Sequence, residues 1–461
     1  MTLWTRDEAV AATGGTCALD WAANGVSIDT RTLEKGDIFV ALSASRDGHD
    51  FVAPAFEKGA AAALVSRIPE GLENVPLLLV PDVLKGLQAL GIAARARTQA
   101  RVIAITGSVG KTGSKEMLRV ALEGQGNIHV AEKSYNNHEG VPLTLARMPK
   151  DTDIAVIEIG MNHPGEIAPL AKMARPHVAL ITTVAPVHLA AFSGVEEIAA
   201  EKAEIFRGLE PNGIAILNAD LETLPILSKA APAKTLLFGP SETADFRLLS
   251  CDVGNGATVV RASTPMGEIM FNLGGEGAHL AQNAVGVLAG LHALKADLGR
   301  ATLALASWHP PEGRGARQQI PLGPEGMDGY FTLINESYNA NPASTRAALE
   351  TLAQQAGRKV AILGDMLELG ETSPALHNAL AKTEGIDITH TVGPLMGDVP
   401  FENRGLTVDT STELAAQIGR QIQAGDVVMV KGSLGMAMAK IIDALTKLSD
   451  AESQQISEGK L

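Results

Sequence analysis

Short runs of β-branched and aliphatic residues recur along the chain, with stretches of helical character between them. From residue 101 they read RVIAIT, DIAVIEIG, HVALITTV and GIAILN, and a helical GSKEMLRVALEG follows the first. Apolar runs without polar alternation suit strands buried on both faces, as in a parallel sheet covered by helices on each side. This stretch is expected to be a doubly wound nucleotide-binding domain. Further on, KVAILGDM, GETSPALHNALAKT, THTVG and DVVMVKGS precede a helical GMAMAKIIDALTKL, which predicts a second α/β unit over about residues 312–447. Before residue 98, GVSIDT, DIFVAL, AAALVS and PLLLVP predict the strands of a smaller unit. The Pro-rich break at Trp308-His309-Pro310-Pro311 suits a hinge. The expected organisation is therefore three α/β domains, at 1–97, 98–311 and 312–461, with a polar tail after about 449 that frays. There is no internal repeat.

Composition narrows the class. Of 461 residues 46% are hydrophobic but only 3% aromatic, so the cores must be built from aliphatic strands and Ala-rich helices, an α/β composition. A formal net charge of -14 argues against a nucleic-acid-binding surface, which needs excess Lys and Arg, but leaves room for local phosphate sites. With Cys17 and Cys251 alone, neither a disulfide framework nor a cysteine-based zinc site is supported, and a reducing compartment fits. The start MTLWTRDEAVAATGG lacks a basic segment followed by an apolar run, and no stretch approaches a membrane span, so a cytoplasmic protein is expected.

The most specific chemical signal is Thr106-Gly107-Ser108-Val109-Gly110-Lys111-Thr112, which joins the strand RVIAIT to the helical GSKEMLRVALEG. Strand, glycine loop and helix in this order cradle phosphates. Gly107 and Gly110 let backbone N–H groups approach phosphate oxygens, Lys111 brings charge to the β and γ positions, and the Thr112 hydroxyl can ligate Mg²⁺. The usual loop has a further glycine where Ile105 stands. The competing reading is a glycine-rich turn that merely opens a helix.

Other positions are more ambiguous on residue type alone. Glu158 lies within the apolar DIAVIEIG, where a carboxylate is costly to bury unless it meets a cation or hydrogen-bond donors. His188, at the end of HVALITTVAPVHL, reads as a loop histidine. Lys202 sits among Glu197, Glu201 and Glu204, a mixture typical of a solvated helix face. Arg314 and Arg317 follow the Pro-rich break and either cross a cleft to a phosphate or form exposed salt bridges. Asn283 near a helix start, and Asn339 and Asn341 in SYNANP, are either ligand contacts or caps. Ser27, Thr30, Arg31, Asp47, Gly48 and His49 are either ligand contacts or turn chemistry.

Read together, these segments resemble the Mur ligase family from about residue 25 to 445, in the family's order. TGSVGKTGSKEM resembles its ATP loop, TGxxGK[ST], so the Ile105 departure supports the resemblance. The run from Glu158 to Glu166 matches the family's E-x-G-x-x-x-x-G-E pattern. The resemblance implies an ATP- and Mg²⁺-dependent ligase that makes an amide through an acyl phosphate. It implies metal roles for Thr112, Glu158, His188 and a carbamylated Lys202, with Lys111, Lys202 and His188 catalytic. ATP would meet residues 106–112, Asn283, Arg314 and Glu336. The segment NESYNANP is close to the family's D-D-S-Y-N-A-N-P but carries Asn335 and Glu336 where two Asp are usual. SIDTRTLEKGDIFVALSASRDGHDF resembles a UDP-binding domain and suggests Ser27, Thr30, Arg31, Asp47, Gly48 and His49 as uridine-nucleotide contacts. KSYNNHEGVP matches NN-x-x-G-x-P and suggests that Asn136 and Asn137 hold a peptide or muramoyl group, while Asn339, Asn341, Asp365 and Lys431 would face the cleft. With SYNANP and GDMLELG, it points to the branch that joins D-alanyl-D-alanine to UDP-N-acetylmuramoyl-tripeptide. A monomer is expected.

Overall fold

The computed structural model describes residues 2–43, 45–232, 234–254, 256–323 and 326–449, so the expected frayed tail lies outside the described residues. It contains three main sheets in chain order. The first has four parallel strands, Gly25–Ser27, Asp37–Val40, Ala62–Val65 and Leu77–Leu79. The third has six, with Tyr330–Glu336, Val427–Lys431, Lys359–Gly364, Ile388–Val392 and Arg404–Val408 parallel and Ala316–Pro321 antiparallel at the edge.

The nine-stranded second sheet positions the site. Its parallel part places Arg101–Thr106 between Val178–Ile181 and Ile154–Glu158. Successive residues on these strands serve opposite cores, as the period of two requires. Ile103 and Ile105 pack on one face and Val102 and Ala104 on the other. The same division separates Val360 and Ile362 from Ala361 and Leu363 in the third domain. The middle of each strand, at 102–105 and 360–363, is apolar throughout because each sheet is covered on both sides.

Two departures from the sequence reading stand out. Residues 246–274 form an antiparallel ribbon, Phe246–Gly254, Ala257–Thr264 and Gly267–Gly274, that extends the central sheet. The last α-helix begins at Ala439 and not at Gly435, because a 3-10 turn at Leu434–Met436 ends on Ala437 in the left-handed region.

The first domain is docked on the second through specific contacts. The Trp4 indole donates to Ala146 O at 2.8 Å, and Arg147 Nε donates to Val26 O at 2.6 Å while its guanidinium lies over Tyr135. Leu143 and Ala146, on the helix Gly140–Ala146, are part of the first domain's core.

Candidate active site

The carboxyl ends of the central strands carry the chemistry, the usual ligand position in an open α/β sheet. Beyond Thr106 the loop turns at Gly107 (φ 152°) and Gly110 (φ 89°), and the helix Lys111–Ala121 starts with no side-chain cap. Its first N–H groups therefore remain available to an anion. A Cβ at Gly107 would lie 2.0 Å from Thr182 Oγ1, so glycine is required there. Thr182 and Thr183, just past the neighbouring strand, hold the loop from outside. Both hydroxyls donate to Val109 O, at 2.6 and 3.1 Å, and Ser108 N donates to Thr183 O at 2.9 Å. The sequence reading missed these threonines, although TT directly after HVALI marked them.

Half-buried Lys111 folds back so that Nζ donates to Gly107 O at 2.6 Å, and burial lowers its pKa below 10.5. Thr112 Oγ1 lies 3.2 Å from Glu158 Oε1 and 3.1 Å from Ser134 Oγ. Glu158 is 1% exposed, and its Oε2 takes no hydrogen bond. Its Oε1 also accepts from Asn136 Nδ2 at 2.7 Å. A buried ionised oxygen without a partner is costly, and a cation beside it would remove that cost.

Lys202 closes the cluster. The solvated-face reading fails for it: the side chain is 2% exposed, and no described residue forms a hydrogen bond or ion pair with Nζ. Burial and nearby Lys111 hold its pKa well below 10.5. Neighbouring Glu201 accepts instead from Gly165 N (2.8 Å) and Ile167 N (3.0 Å), at the start of the helix Ile167–Ala174. Burial lowers the pKa of His188 most, Glu368 opposes this, and Lys111 and Lys202 add smaller lowering effects. Among the described residues no group of three or more His, Cys, Asp or Glu side chains could hold a metal alone. A Mg²⁺ here would need hydroxyl, phosphate and modified-lysine oxygens beside the Glu158 carboxylate, which suits an ion that usually shares its shell with substrate phosphates.

The third domain faces this cluster. Arg314 stacks over the Tyr338 ring, 4.1 Å from its centroid, and its guanidinium lies 3.4 Å from Ser134 Oγ. Arg317 instead pairs with Glu276 of the central domain and with Gln355. Glu336 and Lys431 are register partners on adjacent strands, joined by a 3.0 Å hydrogen bond. Glu336, His279, Arg314 and Arg317 line a cavity of about 30 Å³ between the domains, together with Pro310 and Ile334. That is room for a water or two. Asn283 has its amide against Gly110 of the phosphate loop.

Several expected ligand contacts are committed inside the chain. Asp365 is 4% exposed, and its carboxylate accepts from Met396 N at 2.7 Å at the start of the helix Pro394–Asp398. Asn341 caps the helix Pro342–Ala353, accepting from Ser344 N at 2.9 Å. Asn137 Oδ1 accepts from Gly140 N at 2.8 Å, and Asn136 supports Glu158 as described. The Asn339 side chain accepts from Ala340 N, while its carbonyl receives Lys431 Nζ at 3.0 Å.

In the first domain, Ser27 is fully buried against Asp29, and a Cβ at Gly48 would meet Leu42 O at 2.2 Å. His49 is enclosed, with Nδ1 on Asp47 and Nε2 accepting from Ser66 N at 3.0 Å. These three shape the loops. Thr30, Arg31 and Asp47 keep exposure. Arg31 holds the Asp29 carboxyl down to about 2, with a smaller contribution from Lys133 of the central domain, while Arg67 and His49 lower Asp47 further.

A phosphate loop at the carboxyl ends of a parallel sheet, faced by an arginine from the third domain, is the arrangement of a nucleotide-dependent α/β enzyme. Comparison with known proteins agrees. Residues 105–291 match the Mur ligase middle domain and residues 325–434 the Mur ligase glutamate ligase domain. The UDP-N-acetylmuramoyl-tripeptide--D-alanyl-D-alanine ligase of Escherichia coli K12 is 36% identical over 435 residues, covering 92% of this chain and 94% of the relative. A crystal structure of MurF from Acinetobacter baumannii superposes with a TM-score of 0.85 at 30% identity, covering 96% of this chain and 99% of that one. MurF of Thermotoga maritima in complex with ADP gives 0.78 at 26% identity, covering 93% and 99%. The chain belongs to the Mur ligase family, and Mur ligases depend on ATP. No helix among the described residues is long and apolar enough to cross a membrane.

Proposed function

We propose that this chain joins D-alanyl-D-alanine to UDP-N-acetylmuramoyl-tripeptide, driven by ATP, and so forms the UDP-linked pentapeptide precursor of peptidoglycan. The observation that carries this reading is the match along almost the whole chain to a ligase of that name. The geometry is what such chemistry needs. A carboxylate is a poor acylating group at neutral pH until its oxygen leaves as phosphate. The tripeptide carboxylate oxygen attacks the γ-phosphorus, the bond to the β-phosphate oxygen breaks, and ADP departs. The dipeptide amine then attacks the acyl carbon, and the tetrahedral species loses phosphate and a proton to give the amide.

Lys111 and Arg314 approach the transferred group from two domains and neutralise its developing charge. Thr112, Glu158, His188 and Lys202 are the residues to hold Mg²⁺, which supplies further charge neutralisation when bound. Two observations support that set: the unpartnered buried Glu158 Oε2, and the buried Lys202 amine, whose lowered pKa favours the neutral form that reacts with CO₂. The carbamate so formed is an anion and turns Lys202 from a repulsive into a ligating group. In this reading residues 1–97 bind the UDP moiety through Thr30, Arg31 and Asp47, residues 98–311 bind ATP, and the third domain closes to exclude water from the acyl phosphate.

The test is an isotope-transfer experiment. With ¹⁸O in the tripeptide carboxylate, one label should appear in the released phosphate. Phosphate without label would refute the acyl-phosphate route.

A further inference from the structure

The third domain touches the proposed Mg²⁺ residues at Glu368, which has no part in the proposed reaction. Glu368 lies in the loop after the strand Lys359–Gly364, and its Oε2 is 2.7 Å from His188 Nδ1 across the domain boundary. A second bond runs beside the first: Ala190 N donates to Glu368 O at 3.3 Å. Gly370 completes the contact, since a Cβ there would lie 3.3 Å from Leu189 O. Both partners of the side-chain bond are non-glycine residues in the left-handed region, at φ 53° for His188 and φ 65° for Glu368. Such conformations persist where the surroundings over-determine them, and here two meet in one contact.

The chemistry of the pair is directional. A carboxylate accepts, so the proton resides on Nδ1 of His188, and the lone pair is left on Nε2. No described residue takes a hydrogen bond with Nε2. An imidazole that ligates a metal is commonly oriented in this way by a carboxylate on its other nitrogen. What is unusual is the origin of this carboxylate, because it comes from the third domain, the one that the proposed function has closing over the site.

We propose that Glu368 is a positioning residue that fixes the tautomer and orientation of His188 only when the third domain is closed, so that closure and completion of the cation site are one event. The inference rests on the reading of His188 as a Mg²⁺ ligand. Before closure the imidazole is free to rotate, and the acyl phosphate is formed only after the third domain has shut out water. Glu368 touches no reacting atom and acts through His188.

Mn²⁺ binding tests this directly. The free-ion signal is followed by electron paramagnetic resonance in the presence of ADP and UDP-N-acetylmuramoyl-tripeptide, for the wild type, Glu368→Ala, Glu368→Gln and His188→Ala. Glu368 is exposed, and thermal melting checks that each variant is folded. Carboxylates that hydrogen-bond the far nitrogen of a metal-bound imidazole contribute about 10–100-fold to metal affinity. Glu368→Ala should weaken one Mn²⁺ per chain by about 10-fold or more, Glu368→Gln should recover much of that loss because its amide oxygen still accepts from Nδ1, and ADP affinity without metal should not change. Loss of a Mn²⁺ in His188→Ala with none in Glu368→Ala overturns the proposal and leaves the His188 assignment standing. Unchanged Mn²⁺ binding in His188→Ala overturns both.

Discussion

Replacing Lys111 by Ala or Met separates what the phosphate loop does for the fold from what it does for the reaction. In the folded chain the ammonium gives one hydrogen bond to Gly107 O, and burial works against its charge. Losing a hydrogen bond costs about 1 kcal/mol, and relief of the desolvation acts in the opposite direction, so net stability should move by no more than about 1 kcal/mol. In domains of this size that shifts the melting temperature by about 2–4 °C at most. Removing one preorganised donor from a charge-developing transition state costs about 100–1,000-fold, and here a full positive charge is lost as well. Turnover should therefore fall by about 1,000-fold or more while melting barely moves. Steady-state phosphate release and differential scanning calorimetry give the two readouts. Turnover within about 10-fold of the wild type in a folded Lys111→Met chain would refute the assignment of this loop to the transferred phosphate.

The sign of the pH dependence follows from the same burial. Between the folded pKa of Lys111 and 10.5 the unfolded chain binds more protons, so the lysine's destabilising effect is complete below the folded value and fades as pH rises toward 10.5. Wild type should gain stability relative to Lys111→Met over that rise, and equal slopes in calorimetry would contradict it. His390 offers the acid counterpart: it is 1% exposed, with Nε2 unpartnered and its pKa lowered from 6.5 to about 4, mainly by burial. Stability should drop as pH falls from 6.5 toward 4, by about 3 kcal/mol in full, and a non-titrating His390→Asn chain should lose that part of the profile in urea titrations. Gly107→Ala forces a Cβ to 2.0 Å from Thr182 Oγ1 at φ 152°, so ATP affinity by calorimetry should fall at least about 10-fold, and normal affinity would show that the loop has slack. Glu158→Gln replaces a buried carboxylate with an unpartnered oxygen by a neutral amide; it should melt no lower than wild type yet need far more Mg²⁺ for turnover, and an unchanged Mg²⁺ requirement would remove Glu158 from the metal set.

What the sequence carried was what one strand or one loop can carry by itself. The stretches 102–105 and 154–157 are apolar at every position because successive residues such as Val102 and Ile103 face different cores. The ribbon at residues 246–274 was overlooked because its strands are buried on one face only. Val260 and Ala262 point inward while Val259 and Arg261 do not, an alternation present in ATVVRAST that the search for continuous apolar runs passed over. Lys202 shows the same lesson on a helix. Its charged neighbours suggested solvent, but Ile198 stands four residues earlier on the same buried face.

Resemblance of motifs located residues without orienting them. Asp365 and Asn341 lie where the motif puts them, yet their oxygens cap the helices Pro394–Asp398 and Pro342–Ala353, a short-range demand that competes with any ligand. Asn136 turned out to support the site indirectly, through Glu158. The pairing of Glu368 with His188, 180 residues apart, depends on how two domains meet, and no local pattern encodes that.

The central claim is a condensation of two substrates driven by ATP. The most direct measurement supplies purified protein with ATP and Mg²⁺ and follows phosphate release with UDP-N-acetylmuramoyl-tripeptide alone, with D-alanyl-D-alanine alone, and with both. Sustained release only with both, with a UDP-linked pentapeptide appearing in equal amount, is the predicted result. Equally sustained release with one substrate or with neither would contradict it.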